Sequence, residues 1–158
     1  MIPDLITIAG SPWKVLPPGI HPATLDDVQT LFSTNRHRRE LFEGLVLGSL
    51  SLRAAGCAFI FLDGSFVSGK PRPGDYDACW SPEGVNPIAL NPVFKTFLNG
   101  RANQKYEFKG EFFPSSMTES GCGRSFVDFF QVDRFTGKAK GILEIELTND
   151  PLLKRRSK

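Results

Sequence analysis

The chain has 158 residues, of which 41% are hydrophobic and 23% are charged, and its formal net charge is +2. This length and composition predict one globular domain that is large enough to bury its own core. A net charge so close to zero excludes a strong overall attraction to nucleic acid or to a membrane surface, so any such binding must come from local patches.

The sequence carries no recognisable signal for export or membrane insertion. Residues 1–4 do not form a basic segment that leads into an apolar run, and every apolar stretch is far shorter than a membrane span. Cys57, Cys79 and Cys122 are an odd number at wide spacings, which indicates reduced thiols rather than disulfides or a zinc site. We therefore expect a cytoplasmic protein without a membrane partner.

The N-terminal third of the chain predicts an extended segment followed by two helices. Prolines recur throughout residues 1–22, which favours an irregular, extended entry. Thr24 is a candidate N-cap for a short first helix with apolar residues at helical spacing. A second, longer helix would follow Ser33 and Thr34, which can cap it, and would end near Ala55.

A basic cluster, Arg36, Arg38 and Arg39, lies at the predicted start of the second helix. The helix dipole does not stabilise cations at this end. We interpret the cluster as a solvated helix end, and a phosphate contact is the less favoured alternative.

The centre of the chain carries the strongest chemical signal. The apolar, aromatic run 58–62 predicts a strand buried on both faces, and it ends at Gly64 and Ser65, where the chain must turn. After a loop rich in glycine and proline, the chain resumes at Asp75 and Asp77. If this piece is extended, both carboxylates lie on the same side, an arrangement that a divalent cation such as Mg²⁺ or Mn²⁺ would stabilise.

The remainder of the chain is less regular. Residues 92–98 predict a short helix, and the polar, glycine-rich segment 99–124 is either a substrate-facing flap or a long connection. Residues 125–132 are ambiguous between a strand and one or two helical turns, and 141–147 predict a strand. The basic tail, residues 151–158, is expected to be disordered.

One familiar phosphate-binding motif can be rejected. The stretch from Gly64 to Lys70 fits most of the phosphate-loop pattern G-x-x-x-x-G-K-[ST] and follows a strand. Pro71 replaces the hydroxyl residue that would bind Mg²⁺, and the prolines that follow cannot form the required helix. A phosphate-loop NTPase is therefore excluded.

The same region matches another pattern much better. The sequence LDGS, nine further residues and then DYDA resembles the signature of the DNA polymerase β-like nucleotidyltransferase superfamily. In that signature a strand ends in Gly-Ser and the neighbouring strand carries Asp-x-Asp. The phrases LDGSFVSGKPRPGDYDACW and KGILEIEL also resemble a small family of uncharacterised bacterial and phage proteins with a minimal nucleotidyltransferase fold.

This resemblance implies a fold and a division of labour. The fold is mixed α/β (α+β), with a small, mostly antiparallel sheet backed by the N-terminal helices, and the domain spans residues 23–150. Asp75 and Asp77 would hold the Mg²⁺ or Mn²⁺ ions, and Gly64 and Ser65 would cradle the phosphates of an NTP. Lys70 and Arg72, interpreted as exposed loop charges, would be recruited by the triphosphate.

The superfamily also requires a third carboxylate from an adjacent strand. Two positions fit, Asp128 within FVDF and Glu146 within IEL. Asp128 is the candidate if residues 125–132 form a strand, and Glu146 is the candidate if they form a helical turn. Aspartate is the commoner residue at this place in the superfamily, which favours Asp128. Asp63 is interpreted as a loop-capping residue.

The predicted function is therefore transfer of a nucleoside monophosphate from an NTP to a hydroxyl on RNA, protein or a small molecule. The alternative is a catalytically weak or inactive binding module of the same fold, such as the partner protein in a toxin–antitoxin or phage-defence pair. A nucleic-acid binder that uses the arginine cluster is disfavoured, because the basic patches are not interleaved with stacking aromatic residues.

Overall fold

A computed structural model describes residues 1–157, except for the burial of residues 98 and 100. Five strands form one sheet in the order β1-β5-β2-β3-β4. They are β1 (Gly19–Pro22), β2 (Phe59–Asp63), β3 (Asp77–Trp80), β4 (Glu111–Pro114) and β5 (Gly141–Glu146). The helices are α1 (Leu25–Phe32), α2 (Arg36–Ala54), α3 (Leu98–Phe108), α4 (Phe126–Phe129) and α5 (Pro151–Arg156).

The predicted fold class, mixed α/β with a small mixed sheet, is confirmed. The three central strands β5, β2 and β3 are antiparallel, and the edge strands β1 and β4 each pair in parallel with their neighbours. One face of the sheet packs against the two N-terminal helices in the main core, through residues such as Ile60, Leu62 and Ile145. The other face carries a smaller cluster that includes Cys79, Phe113 and Ile142.

The two N-terminal helices form where the sequence predicts them. Thr24 caps α1 in a reciprocal box with Asp27, each side chain accepting a hydrogen bond from the other residue's backbone. The cap of α2 is Asn35, whose side chain accepts from the backbone of Arg38, and not Ser33 or Thr34 as expected. The cap therefore lies one residue beyond the predicted pair.

Helix α3 approaches α2 so closely that glycine is required at the contact. A Cβ added to Gly44 would lie 2.1 Å from the carbonyl oxygen of Phe108, and one added to Gly48 would lie 2.6 Å from the Phe112 ring. Residues 99–124, which the sequence predicts as a flap or a long connection, contain most of α3 and all of β4. Gly44 thus packs against the end of α3 and Gly48 against Phe112 of β4, so α2 contacts both elements.

Both ends of the chain are more ordered than the sequence indicates. Residues 19–22 of the predicted entry segment are strand β1, which pairs with β5. The prediction of a disordered tail is wrong for Pro151–Arg156, which form α5 because Leu152 and Leu153 are buried in the main core. Arg156 at the end of α5 binds Glu43 on α2. Lys158, the last residue of that prediction, lies outside the described residues.

In the part of the chain that the structure describes, no helix is both long enough and apolar enough to cross a membrane. All three cysteines are unpaired, with Cys57 and Cys79 buried and Cys122 exposed.

Candidate functional site

Three carboxylates form a row across neighbouring strands. Asp63 on β2 is the register partner of Asp77 on β3, and Asp77 is in turn the partner of Glu111 on β4. Residues that face one another across a ladder share one face of the sheet. The row lies on the face of Cys79 and Phe113, away from α1 and α2. Strand register thus brings together acidic residues from three separate segments.

Asp75, just before β3, extends this row into a candidate metal site. Asp75, Asp77 and Glu111 each offer a carboxylate oxygen, and these oxygens all lie within 4.8 Å of one another. All three residues are partly buried. Hard oxygen ligands at this separation fit a divalent cation such as Mg²⁺ or Mn²⁺.

The electrostatics of the cluster favour a cation. Burial, together with the charges of Asp63, Asp75 and Glu111, raises the pKa of Asp77 well above its ordinary value. Burial also raises the pKa of Asp75, and the neighbouring charge of Glu111 adds to that shift. A cation placed among these groups would relieve both effects, so the donor set fits a metal ion.

Part of the negative charge is already balanced by α3. Lys105 Nζ lies 2.9 Å from Glu111 Oε1 and 3.8 Å from Asp75 Oδ2, and Arg101 Nη2 lies 3.3 Å from Glu111 Oε1. Burial acts to raise the pKa of Glu111, but the hydrogen bonds from Lys105 and Arg101 outweigh it and the pKa is lowered. Glu111 is therefore the most readily ionised member of the cluster.

Asp63, at the other end of the row, has its own cation. It is buried and paired with Lys140, which precedes β5. Burial raises the pKa of Asp63 despite the opposing charge of Lys140. As the register partner of Asp77, Asp63 faces the site on the same side of the sheet. It is thus a buried ion-pair partner of Lys140 and not only the loop cap that the sequence indicates.

Gly64 is required at the turn after β2. Its backbone has φ +89° and ψ −180°, a conformation open essentially to glycine alone. An added Cβ would lie 3.0 Å from both the backbone nitrogen and Oδ2 of Asp77. A single 3₁₀ turn, Ser65–Val67, follows this corner. The short distances from Gly64 to Asp77 show that the Gly-Ser corner lies directly against the Asp-x-Asp strand.

The loop after this corner is fastened to the start of α2. Arg38 is only 4% exposed, and its guanidinium donates hydrogen bonds to the carbonyl oxygens of Phe32, Phe66, Ser68 and Lys70. The interpretation of the basic cluster as a solvated helix end is thus wrong for Arg38, whereas Arg36 and Arg39 are exposed. Because all these partners are carbonyl groups, Arg38 is a loop anchor and not a phosphate ligand.

A cavity of about 750 Å³ adjoins Asp63, Asp77 and the Gly-Ser corner, whereas Asp75 and Glu111 are not among its described lining residues. Its polar wall includes Asp63, Gly64, Ser65 and Asp77. Its other lining residues include aliphatic side chains as well as basic and aromatic ones, among them Lys70, Arg124, Arg134, Lys140, Trp13, Phe129 and Phe135. Its volume is in the range of pockets that bind cofactors and small substrates.

A family model matches residues 11–146, and its description is a family of unknown function, DUF6932. The chain belongs to the DUF6932 family. Neither the comparison with curated proteins nor the comparison with solved structures gave a match.

Most, but not all, of the predicted phosphate-binding residues of this DUF6932 chain line the cavity. Gly64, Ser65 and Lys70 line the cavity. Arg72 is exposed and is not among the described residues that line it. The structure thus brings Lys70, but not Arg72, to the site.

Neither candidate for the third carboxylate belongs to the cluster. Asp128 is exposed on the single turn of α4, since residues 126–129 form a helix and not a strand. Glu146 is exposed and pairs in register with Phe59, at the start of β2, whereas Asp63 is at the end of that strand. The structure thus brings neither Asp128 nor Glu146 into the cluster, and the fold of this DUF6932 chain places Glu111 beside Asp77.

The sequence contains a weak signal for Glu111. The residues Phe112, Phe113 and Pro114 follow it directly, and an aromatic run after a glycine is typical of a short edge strand that can end in proline. An acidic residue that opens such a strand is a candidate ligand. The register that aligns it with Asp77 is a property of the fold of this DUF6932 chain alone.

Proposed function

We propose that this protein is a metal-dependent nucleotidyltransferase that moves a nucleoside monophosphate from an NTP to a hydroxyl group. The observation that carries the proposal is the carboxylate triad Asp75, Asp77 and Glu111 beside the Gly64-Ser65 corner. The resemblance of this motif to the polymerase β-like superfamily supplies the reaction class. The adjoining cavity supplies space for a nucleotide.

Each part of the site has a role in this reaction. The triad would hold Mg²⁺ or Mn²⁺, which when bound supplies charge neutralisation of the triphosphate and activation of the acceptor. The backbone N–H groups at Gly64 and Ser65 would bind terminal phosphate oxygens, and Lys70 would neutralise their charge.

The chemistry is an in-line displacement at the α-phosphorus. The acceptor oxygen forms a new bond to the α-phosphorus, the bond to the oxygen that bridges the α and β phosphates breaks, and pyrophosphate leaves. The acceptor proton passes to a carboxylate of the triad. Catalysis rests on positioning and electrostatics, and no covalent enzyme intermediate is needed.

Two measurements test the proposal. Calorimetry with ATP, GTP, CTP and UTP, each with and without Mg²⁺, should give metal-dependent binding that Asp75→Ala together with Asp77→Ala abolishes. Transfer of labelled α-phosphate to an RNA pool, a protein mixture or a small-molecule extract should then identify the acceptor. Absence of both NTP binding and transfer would refute the enzymatic proposal.

A second candidate function is the binding of a partner protein, without catalysis, by the same fold. The observation that favours it is that Lys105 pairs with Glu111 and Asp75 and that Arg101 pairs with Glu111, so these cations already balance part of the charge of the triad. The cavity would then serve as part of a docking surface for a partner protein, as in a toxin–antitoxin pair. A thermal melting temperature unchanged by Mg²⁺ or Mn²⁺ would favour this function over the first.

A further inference from the structure

The aromatic wall of the cavity comes from segments that lie outside the Gly-Ser and Asp-x-Asp motif. Trp13 belongs to the N-terminal segment and Phe135 to the turn between α4 and β5. Their ring centroids are 5.7 Å apart, with an interplanar angle of 88°. Trp13 is half-buried and Phe135 is 49% exposed. Both rings line the cavity.

Backbone hydrogen bonds hold Trp13 in place. Ile6 and Val15 exchange a pair of backbone hydrogen bonds of 2.8 and 2.9 Å, which closes the hairpin around Trp13. The backbone nitrogen of Gly69 donates to the carbonyl oxygen of Lys14 at 2.8 Å. The N-terminal segment is thereby tied to the loop that follows Ser65, so Trp13 has a fixed position relative to the predicted phosphate site.

Cations lie against both rings. Lys70 Nζ is 5.0 Å from the ring centroid of Trp13, and the Arg134 guanidinium is 5.4 Å from that of Phe135. Lys70, Arg134 and the aromatic rings all line the same cavity. Basic residues interleaved with exposed aromatic rings are typical of sites that bind nucleotides, because the rings stack on bases and the cations bind phosphates. The folded structure thus places basic residues between aromatic rings, an arrangement that is not visible along the sequence.

We propose that the Trp13 ring, supported by the perpendicular Phe135 ring, forms the base-binding platform of this site, on which the nucleobase of an NTP stacks. This inference rests on the proposed function for the position of the triphosphate at Gly64 and Ser65. Stacking accepts any base, since every base has an aromatic face, and a purine covers more of the platform than a pyrimidine. We therefore expect ATP and GTP to bind with affinities within about threefold of each other, and both to bind more tightly than CTP and UTP.

The test uses a probe that lacks a base. Inorganic tripolyphosphate with Mg²⁺ has the phosphate chain of an NTP and cannot stack. In calorimetry on the full chain, Trp13→Leu should weaken MgATP binding about tenfold and leave magnesium tripolyphosphate binding within about twofold. Trp13→Phe, which keeps an aromatic face, should retain most of the ATP affinity. Tyr106→Ala is the matched control, because Tyr106 is an aromatic residue that is 88% exposed and does not line the described part of the cavity.

Tryptophan fluorescence provides a second readout that does not depend on turnover. The chain has two tryptophans, and Trp80 is buried in the main core. MgATP should quench the emission of the wild-type protein, Trp13→Phe should lose this quenching, and magnesium tripolyphosphate should not produce it. Circular dichroism of each variant confirms that it is folded.

The outcomes separate the two proposals. If Trp13→Leu binds MgATP as tightly as the wild type, and ATP does not quench emission, the platform is refuted while the metal and triphosphate site stands. If the wild type binds neither MgATP nor magnesium tripolyphosphate, the proposed function fails and the platform with it.

Discussion

Asp77 and Glu111 are direct register partners on the parallel strands β3 and β4. This pairing places two carboxylates side by side on one face of the sheet, with Asp75 completing a triad whose oxygens lie within 4.8 Å of one another. Like charges at this distance destabilise the folded protein unless a proton or a cation is present. The pairing is thus the structural basis of the candidate metal site.

Glu111→Gln should weaken Mn²⁺ binding by more than about tenfold, because it removes one of three charged oxygen ligands. Asp128→Asn and Glu146→Gln are matched controls, since both remove a carboxylate that lies away from the triad. Each should bind Mn²⁺ like the wild type in calorimetry or in an electron paramagnetic resonance titration. Loss of binding in Asp128→Asn together with normal binding in Glu111→Gln would contradict the assignment.

Metal-free protein should lose stability as the pH rises above the ordinary range of aspartate titration. The pKa values of Asp77 and Asp75 are raised in the folded state by burial and by neighbouring charge. The folded state therefore binds these protons more tightly than the unfolded state. The stability that they contribute is complete below the unfolded pKa and is lost as the pH rises through the folded pKa.

Asp77→Asn should flatten this pH dependence and should raise the melting temperature of the EDTA-treated protein near neutral pH. It should also abolish the rise in melting temperature that Mg²⁺ or Mn²⁺ gives the wild type. Thermal melts across a pH series, with EDTA or with metal, measure both effects. A metal-free wild type whose stability is constant from acidic to neutral pH would argue against this account.

Gly64→Ala should destabilise the fold by about 1–3 kcal/mol, since its backbone conformation is open essentially to glycine and the added Cβ meets Asp77. Gly74→Ala is the control, because no described atom lies within 4 Å of its added Cβ. That variant should shift the free energy of unfolding by less than about 1 kcal/mol. Urea denaturation of the two variants measures the difference, and equal effects would exclude a special role for Gly64.

Arg38→Lys should cost about 3 kcal/mol or more, because an ammonium group cannot replace the planar fork that binds several carbonyl oxygens. The backbone amides of the loop after Ser65 should also exchange with deuterium faster. Arg39→Lys, at an exposed position on the same helix, should change stability by less than about 0.5 kcal/mol. A neutral Arg38→Lys would show that the loop is held by other contacts.

Leu153→Ala should destabilise the protein by about 2–5 kcal/mol, as expected for a fully buried leucine. Arg156→Ala removes an exposed ion pair with Glu43 and should cost less than about 1 kcal/mol. Equilibrium denaturation of both variants tests whether α5 belongs to the core. If Leu153→Ala behaves like a surface substitution, the tail is not docked as described.

Local sequence was sufficient for the parts of this protein that depend on near neighbours. The cap and periodicity of α1 and the apolar run that forms β2 are each encoded within a few consecutive residues, and they were predicted correctly. Asp75 and Asp77 could be paired from sequence because alternation along an extended strand places both on one side. The mixed α/β class followed from the same local patterns.

Tertiary structure alone decided which distant residues join them. The carboxylate that lies beside Asp77 is Glu111, and neither Asp128 nor Glu146, because the strand register aligns β4 with β3. Arg38 anchors the loop because the fold places its guanidinium beside several backbone carbonyl oxygens, to which it donates hydrogen bonds. Trp13 meets Phe135 across more than a hundred residues of chain, and the N-terminal segment that carries Trp13 is hydrogen-bonded to the loop after the Gly-Ser corner. Each of these contacts joins segments far apart in sequence, so no local pattern specifies it.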